Sequence, residues 1–153
     1  MKIIFLISVL IISGCVLFLR WYNTPPAPDS YKTADITIGQ ETYTVDIAST
    51  FKQLKIGLSG RPHLKEKQGM LFVFNNPRVL RFWMKDMEFA LDVLWIKDEK
   101  IIGISKNVLH PSKAGETITM QSPARVDKAL ELNAGVTDRY DIKVGDTIVI
   151  QEL

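Results

Sequence analysis

The chain has 153 residues, 46% of them apolar and 24% charged, with a formal net charge of +2. Lys and Arg are interleaved with Asp and Glu rather than gathered into a basic stripe, so no nucleic-acid partner is expected. One cysteine and two distant histidines, His63 and His110, offer no spaced ligand set, and no glycine-rich phosphate loop occurs; no metal and no cofactor are expected.

Residues 1–22 form a signal or anchor segment. No charge occurs from Ile3 to Leu19. Two readings of it stay open. Lys2, a short apolar core and Ile12-Ser13-Gly14-Cys15 resemble a bacterial lipobox, which makes Cys15 a candidate lipidation site. The alternative is an uncleaved anchor helix. About 17 apolar residues is the lower limit for a bilayer span, and Arg20, Trp21 and Tyr22 would form an interfacial belt. Both readings tether the chain to a membrane and place the domain outside the cytoplasm, in a periplasm or on a cell surface. Residues 23–34 are a linker whose Pro25-Pro26-Ala27-Pro28 core is stiff and extended, about 3 Å per residue. Residues 35–153 are left as one globular domain, large enough for its own core.

Within that domain, Asp35–Ile38 and Tyr43–Ala48 alternate with β-branched residues around Gly39-Gln40, which predicts a hairpin. Ser49 or Thr50 can cap a short helix with Phe51, Leu54 and Leu58 on one face. Gly69–Phe74 is a continuous apolar run, consistent with a strand buried on both sides and broken by Asn75-Asn76-Pro77. Leu80–Lys85 and Leu91–Ile96 read as strands. Lys97-Asp98-Glu99-Lys100 reads as a four-residue hairpin loop leading to a strand at Ile101–Val108. A long polar loop follows from His110 to about Thr117. Ala124–Leu132 reads as extended, Val136–Tyr140 as one helical turn, and Thr147–Gln151 as a closing strand. Few segments can serve as the crossover helices of a parallel sheet. The expected fold is therefore mainly β (a β-rich α+β): a small antiparallel barrel or sandwich with one or two short helices, preceded by the N-terminal membrane anchor.

Two residues break the pattern of the run Arg81 to Asp98. In a strand, side chains alternate between faces. Leu80, Phe82 and Met84 share one face and suit a core, which leaves Trp83 between two cations, Arg81 and Lys85, on the other. An outward tryptophan is a flat stacking surface that neighbouring cations can reinforce; a covered one packs under a loop. Asp92 shares its face with Leu94 and Ile96. A carboxylate among apolar neighbours costs several kcal/mol unless it is paired or hydrogen-bonded. Its candidate partners are Arg61, Arg81, Lys85, Arg125 or backbone N–H groups of the preceding loop. It could either tie down that loop or face a ligand.

The segments Gly57-Leu58-Ser59-Gly60-Arg61, Gly69-Met70-Leu71-Phe72-Val73-Phe74, Phe82-Trp83-Met84-Lys85, Leu91-Asp92-Val93, Leu130-Glu131-Leu132-Asn133-Ala134-Gly135 and Gly145-Asp146 occur in that order. Over about residues 43 to 150 they resemble the family called domain of unknown function 192. The resemblance implies a small envelope or secreted protein, often with an N-terminal signal or anchor. The family pattern carries Asn-Thr after Trp-Met-Lys and Pro before Leu-Asp; this chain has Asp86-Met87 and Ala90 there. It carries no activity with it.

The functional expectation is a membrane-tethered binding module for an envelope glycan or another polar ligand. Trp83 would be its platform, with Arg61, Lys85 and Asp92 as polar groups at the edge, and no catalytic residue is assigned. Two alternatives stand beside it. One is a small envelope hydrolase using Asp92 as acid or base, with Glu131 as a second carboxyl. The other is a protein-interaction or assembly factor.

Overall fold

The computed structural model describes residues 30–112 and 116–152. The segment 1–22, Cys15 and most of the linker lie outside the described residues. No helix among the described residues is long and apolar enough to cross a membrane.

Nine strands and two short helices follow in order: β1 (Lys32–Ile38), β2 (Glu41–Ala48), α1 (Phe51–Ile56), β3 (Gln68–Arg78), β4 (Arg81–Trp83), β5 (Leu91–Lys97), β6 (Lys100–Val108), β7 (Thr119–Gln121), β8 (Val126–Asn133), α2 (Val136–Arg139) and β9 (Ile148–Glu152). Seven strands form one sheet in the order β6-β5-β8-β3-β2-β1-β9, and β4 pairs with β7 as a separate ribbon. The large sheet curls into a half-barrel. Its edges meet where Lys100 bridges Thr147. Backbone bonds Ile148 N–H to Glu99 O and Ile101 N–H to Asp146 O, 2.8 and 2.9 Å, stitch the same seam.

The mainly β class and the hairpins stand, with local differences. β1 and β2 pair through the two-residue turn Gly39-Gln40, where Gly39 has φ +60°, the value a first turn position of this type needs. The β5–β6 loop also has two residues rather than four, because Lys97 pairs with Lys100. Asp98 and Glu99 both take positive φ, 50° and 63°, a tight turn made without glycine. β3 does not end at Asn75-Asn76-Pro77. It runs on to Arg78 with a register shift against β8 between Val73 and Arg78, so the proline falls where ladder pairing is suspended.

One pair, β2·β3, is parallel, from Thr44 opposite Gln68 to Ala48 opposite Phe72. The segment 49–67 supplies the required crossover, and α1 is its only helical part among these residues. α1 is short but well started. Thr50 Oγ1 accepts from Gln53 N–H, and Gln53 Oε1 accepts from the Thr50 and Ser49 N–H groups at 3.1 and 3.2 Å. This reciprocal box satisfies N-terminal donors that would otherwise be orphaned. Phe51, expected on one face with Leu54 and Leu58, is 84% exposed, whereas Leu54 and Leu58 pack into the core on the outer side of the sheet.

The sheet buries both faces at its centre. Every residue from Leu91 to Ile96 is buried. The inner face gathers side chains from both edges of the sheet, including Ile36, Leu94, Leu130 and Ile148. The outer face of β3, β5 and β8 is covered by α1, the segment that follows it and the β4–β7 ribbon, through Leu58, Leu80, Met84 and Val126. Alternation in these strands therefore separates two cores rather than core from water.

Candidate functional site

The outer core is not fully closed. A cavity of about 470 Å³ opens between α1, the distal half of β3 and the β4–β7 ribbon. Its walls are Leu54, Leu58, Met84 and Met87 together with Phe72, Phe74, Phe82 and Trp83. The rings form a packed set. Phe82 lies 4.9 Å from Phe72, 6.5 Å from Phe74 and 5.3 Å, edge-on, from Trp95 behind them. Aromatic contacts at these distances and tilts are favourable, so the wall is preformed. Trp95 is anchored in turn by Nε1–H donating to Ser105 Oγ at 3.0 Å. Lys55, Arg78 and Arg81 also contribute to the lining.

One carboxyl belongs to this apolar space. Glu131 lines the cavity and is 7% exposed. Its cross-strand neighbours are Met70 on β3 and Val93 on β5. Among the described residues, no donor and no cation reaches its carboxyl. Burial alone raises its pKa from the usual carboxylate value to about 8, because charge in a weakly polarisable site has nothing to offset lost hydration. At neutral pH the group is mainly protonated. Among the described residues, it is the one carboxyl in a pocket whose lining is mainly apolar and aromatic, with Lys55, Arg78 and Arg81 as its cations.

The structure disperses the residues singled out from sequence. Trp83 points outward as the alternation implied, is 53% exposed and lines the cavity. Lys85 stands beside it, Nζ 5.8 Å from the ring centroid and 3.7 Å from Asp86. Arg61 lies away from the cavity lining. It donates to Asp46 at 2.7 Å and covers the Tyr31 ring at 5.6 Å, a structural role near the start of the domain.

Asp92 is fully buried on the inner face. Its Oδ1 accepts from Asn107 N–H at 2.8 Å. Its Oδ2 accepts from Thr137 N–H and Thr137 Oγ1–H at 2.9 and 2.7 Å. None of the four cations considered from sequence is its partner. The carboxylate instead ties α2 and the end of β6 to β5, compensating its own burial with three hydrogen bonds.

The dyad of Asp92 with Glu131 does not exist in this geometry. In the β5–β8 register, Asp92 is opposite Leu132 and Val93 is opposite Glu131. The two carboxyls therefore project from opposite faces of the sheet. Glu131 was visible in sequence only as a member of that pair. Its own signal was an acid held between leucines on a strand that is apolar on both sides. The cavity wall from α1 and from the ribbon could not be read that way, because it joins segments distant in sequence.

The family model described as uncharacterised ACR, domain of unknown function 192, matches residues 34–150. No curated protein matches. A crystal structure of a Sinorhizobium meliloti 1021 protein, provisionally named a transcription regulator, is similar at 30% identity and a TM-score of 0.72, covering 81% of this chain and 98% of that one. A protein of unknown function from Novosphingobium aromaticivorans DSM 12444 shares the fold at 23% identity and a TM-score of 0.71, covering 82% and 90%. With the family match spanning both layers around the cavity, the chain belongs to the domain of unknown function 192 family.

Proposed function

We propose that this protein is a binding module whose outer-face cavity takes a small molecule with an apolar body and one polar end. The observation that carries the reading is Glu131: a carboxyl with no protein partner, 7% exposed, belonging to a preformed aromatic cavity. Isolated buried carboxyls are costly to a fold and are kept where they serve a site. Membrane tethering and an extracytoplasmic location are part of the proposal and rest on the sequence of residues 1–34 alone.

A glycan is a weaker fit than the sequence suggested. Trp83 can stack on a sugar, but the walls at Leu54, Leu58, Phe72, Phe82, Met84 and Met87 offer sugar hydroxyls no partner. Hydrolysis by two carboxyls has no support in the placement of Asp92 and Glu131. Transcription regulation is the provisional name of the Sinorhizobium protein; the +2 net charge here gives little attraction for phosphate backbones.

The test uses three water-soluble probes of one shape: phenethylammonium, 2-phenylethanol and phenylacetate. Each is titrated into the full chain while backbone amide signals of Glu131 and Trp83 are followed by NMR. Saturable shifts at both positions with at least one probe, lost in Thr119→Trp, which plugs the cavity from exposed β7, are expected. Absence of saturable shifts with all three would sink the reading.

A further inference from the structure

We infer that the cavity selects a cationic amine, an alkylammonium or arylalkylammonium whose nitrogen meets Glu131 while its apolar body lies against Phe72, Phe82 and Trp83. This rests on the binding reading above and names the ligand class for the same cavity.

Three kinds of polar end could meet a lone buried carboxyl. An anion would face another acid at this end, since Lys55, Arg78 and Arg81 line the cavity but none pairs with Glu131, and it gains least there. A neutral acceptor could take the acid's proton, one hydrogen bond. An ammonium supplies what no described residue brings to Glu131 itself, a paired positive charge and several N–H donors, to a carboxylate with no competing partner. The walls favour the same choice. Four aromatic side chains line the space, and their π faces attract a desolvated cation. A carboxylate combined with aromatic faces is the chemistry that recognises ammonium groups. An aliphatic cavity would show no such preference.

The other charged groups of the cavity set limits on the ligand. From α1 comes Lys55, from β3 Arg78 and from β4 Arg81. The neighbours of Glu131 on β3 and β5, Met70 and Val93, are apolar. Arg78 lies over the Phe74 ring at 4.6 Å and Arg81 donates to Gln121 at 3.0 Å. None of the three pairs with the carboxyl, and burial is the cause that raises its proton affinity. They disfavour a polycation and tolerate an anionic group at the ligand's other end. A monoamine therefore fits better than a polyamine.

The same three probes decide the matter, titrated into the full chain from pH 6 to 9. Phenethylammonium should bind at least tenfold more tightly than 2-phenylethanol at pH 7. Its affinity should rise toward tenfold per pH unit up to about pH 8, the value at which Glu131 loses its proton, and level off above. Glu131→Gln should erase both the preference and the slope while still taking 2-phenylethanol. Equal or tighter binding of 2-phenylethanol, or a flat or falling pH profile for the amine, overturns the ammonium inference and leaves the binding reading standing. Failure of every probe removes both. The wild-type pH profile decides even if the variant folds poorly.

Discussion

Asp92 and Glu131 stand on adjacent strands one register step apart and face opposite sides of the same sheet. Their surroundings are as different as their directions. Asp92 accepts three hydrogen bonds within the inner core. Glu131 accepts none among the described residues and opens on the outer cavity. One carboxylate is bound into the architecture, and the other lines a cavity without a partner among the described residues. Each of the following expectations separates these two roles or tests an element around them.

Asp92→Asn keeps the shape but replaces one acceptor oxygen with a donor that faces a backbone N–H or the Thr137 hydroxyl. The cost should be about 3 kcal/mol, a loss of roughly 10 °C in midpoint for a domain of this size. Thr137→Val, which removes a single donor, should cost about 1 kcal/mol. Thermal unfolding of the full chain reads both. Probe binding at the outer cavity should be unchanged in either. A midpoint within a degree of wild type for Asp92→Asn would remove the structural assignment.

Glu131 makes stability depend on pH in a definite direction. Its folded pKa of about 8 lies above the ordinary 4.5, so the folded state holds this proton more tightly than the unfolded chain. The associated stability is complete below about pH 4.5 and is lost as pH rises through about 8. Glu131→Gln carries no such loss. The stability of Glu131→Gln relative to wild type should therefore climb between these values, by on the order of 4 kcal/mol in total, then plateau. Urea unfolding at pH 5, 6.5 and 8 measures the difference, and a constant difference across that range would contradict the burial of an unpaired carboxyl.

Trp83 is half exposed, so its truncation should matter to a ligand more than to the fold. Trp83→Ala is expected to change unfolding free energy by less than about 1 kcal/mol. It should weaken phenethylammonium by about three- to tenfold, the range for one lost aromatic contact. Collapse of the fold with this change would reassign Trp83 to the core.

The β5–β6 turn offers a gain instead of a loss. Glu99 occupies the left-handed region at φ +63°, which costs a side-chain-bearing residue roughly 1 kcal/mol relative to glycine. Glu99→Gly creates Asp-Gly, the preferred dipeptide for this turn. A rise of about 0.5 kcal/mol after the greater freedom of glycine in the unfolded chain is subtracted is expected from chemical denaturation. A loss would mean that the Glu99 side chain does more than tolerate its backbone.

The sequence was readable where one strand or one turn carried the information. The face that Trp83 shares with Arg81 and Lys85, the Gly39-Gln40 turn and a cap at Ser49 or Thr50 followed from local alternation and local hydrogen-bonding capacity. Asn75-Asn76-Pro77 misled because a bulged strand can pass through residues that would end a regular one. Phe51 misled because helical spacing names a face without saying whether anything covers it. The partners of Asp92 come from Asn107 and Thr137, each well over ten residues away, and no spacing rule links them. Glu131 was the hardest residue to weigh. An acid on a strand is ordinarily turned to solvent, and only the cover provided by α1 and the β4–β7 ribbon makes it a buried one.

The pairing of β1 with β9 sets the order in which this molecule can mature. Ala34 lies opposite Glu152, so the first strand finds its outer neighbour only in the ninth. Until β9 has docked, β1 presents an open row of N–H and C=O groups to any strand nearby. A partly made chain therefore leaves this edge open near its beginning until its far end arrives, and contacts this distant in sequence form slowly.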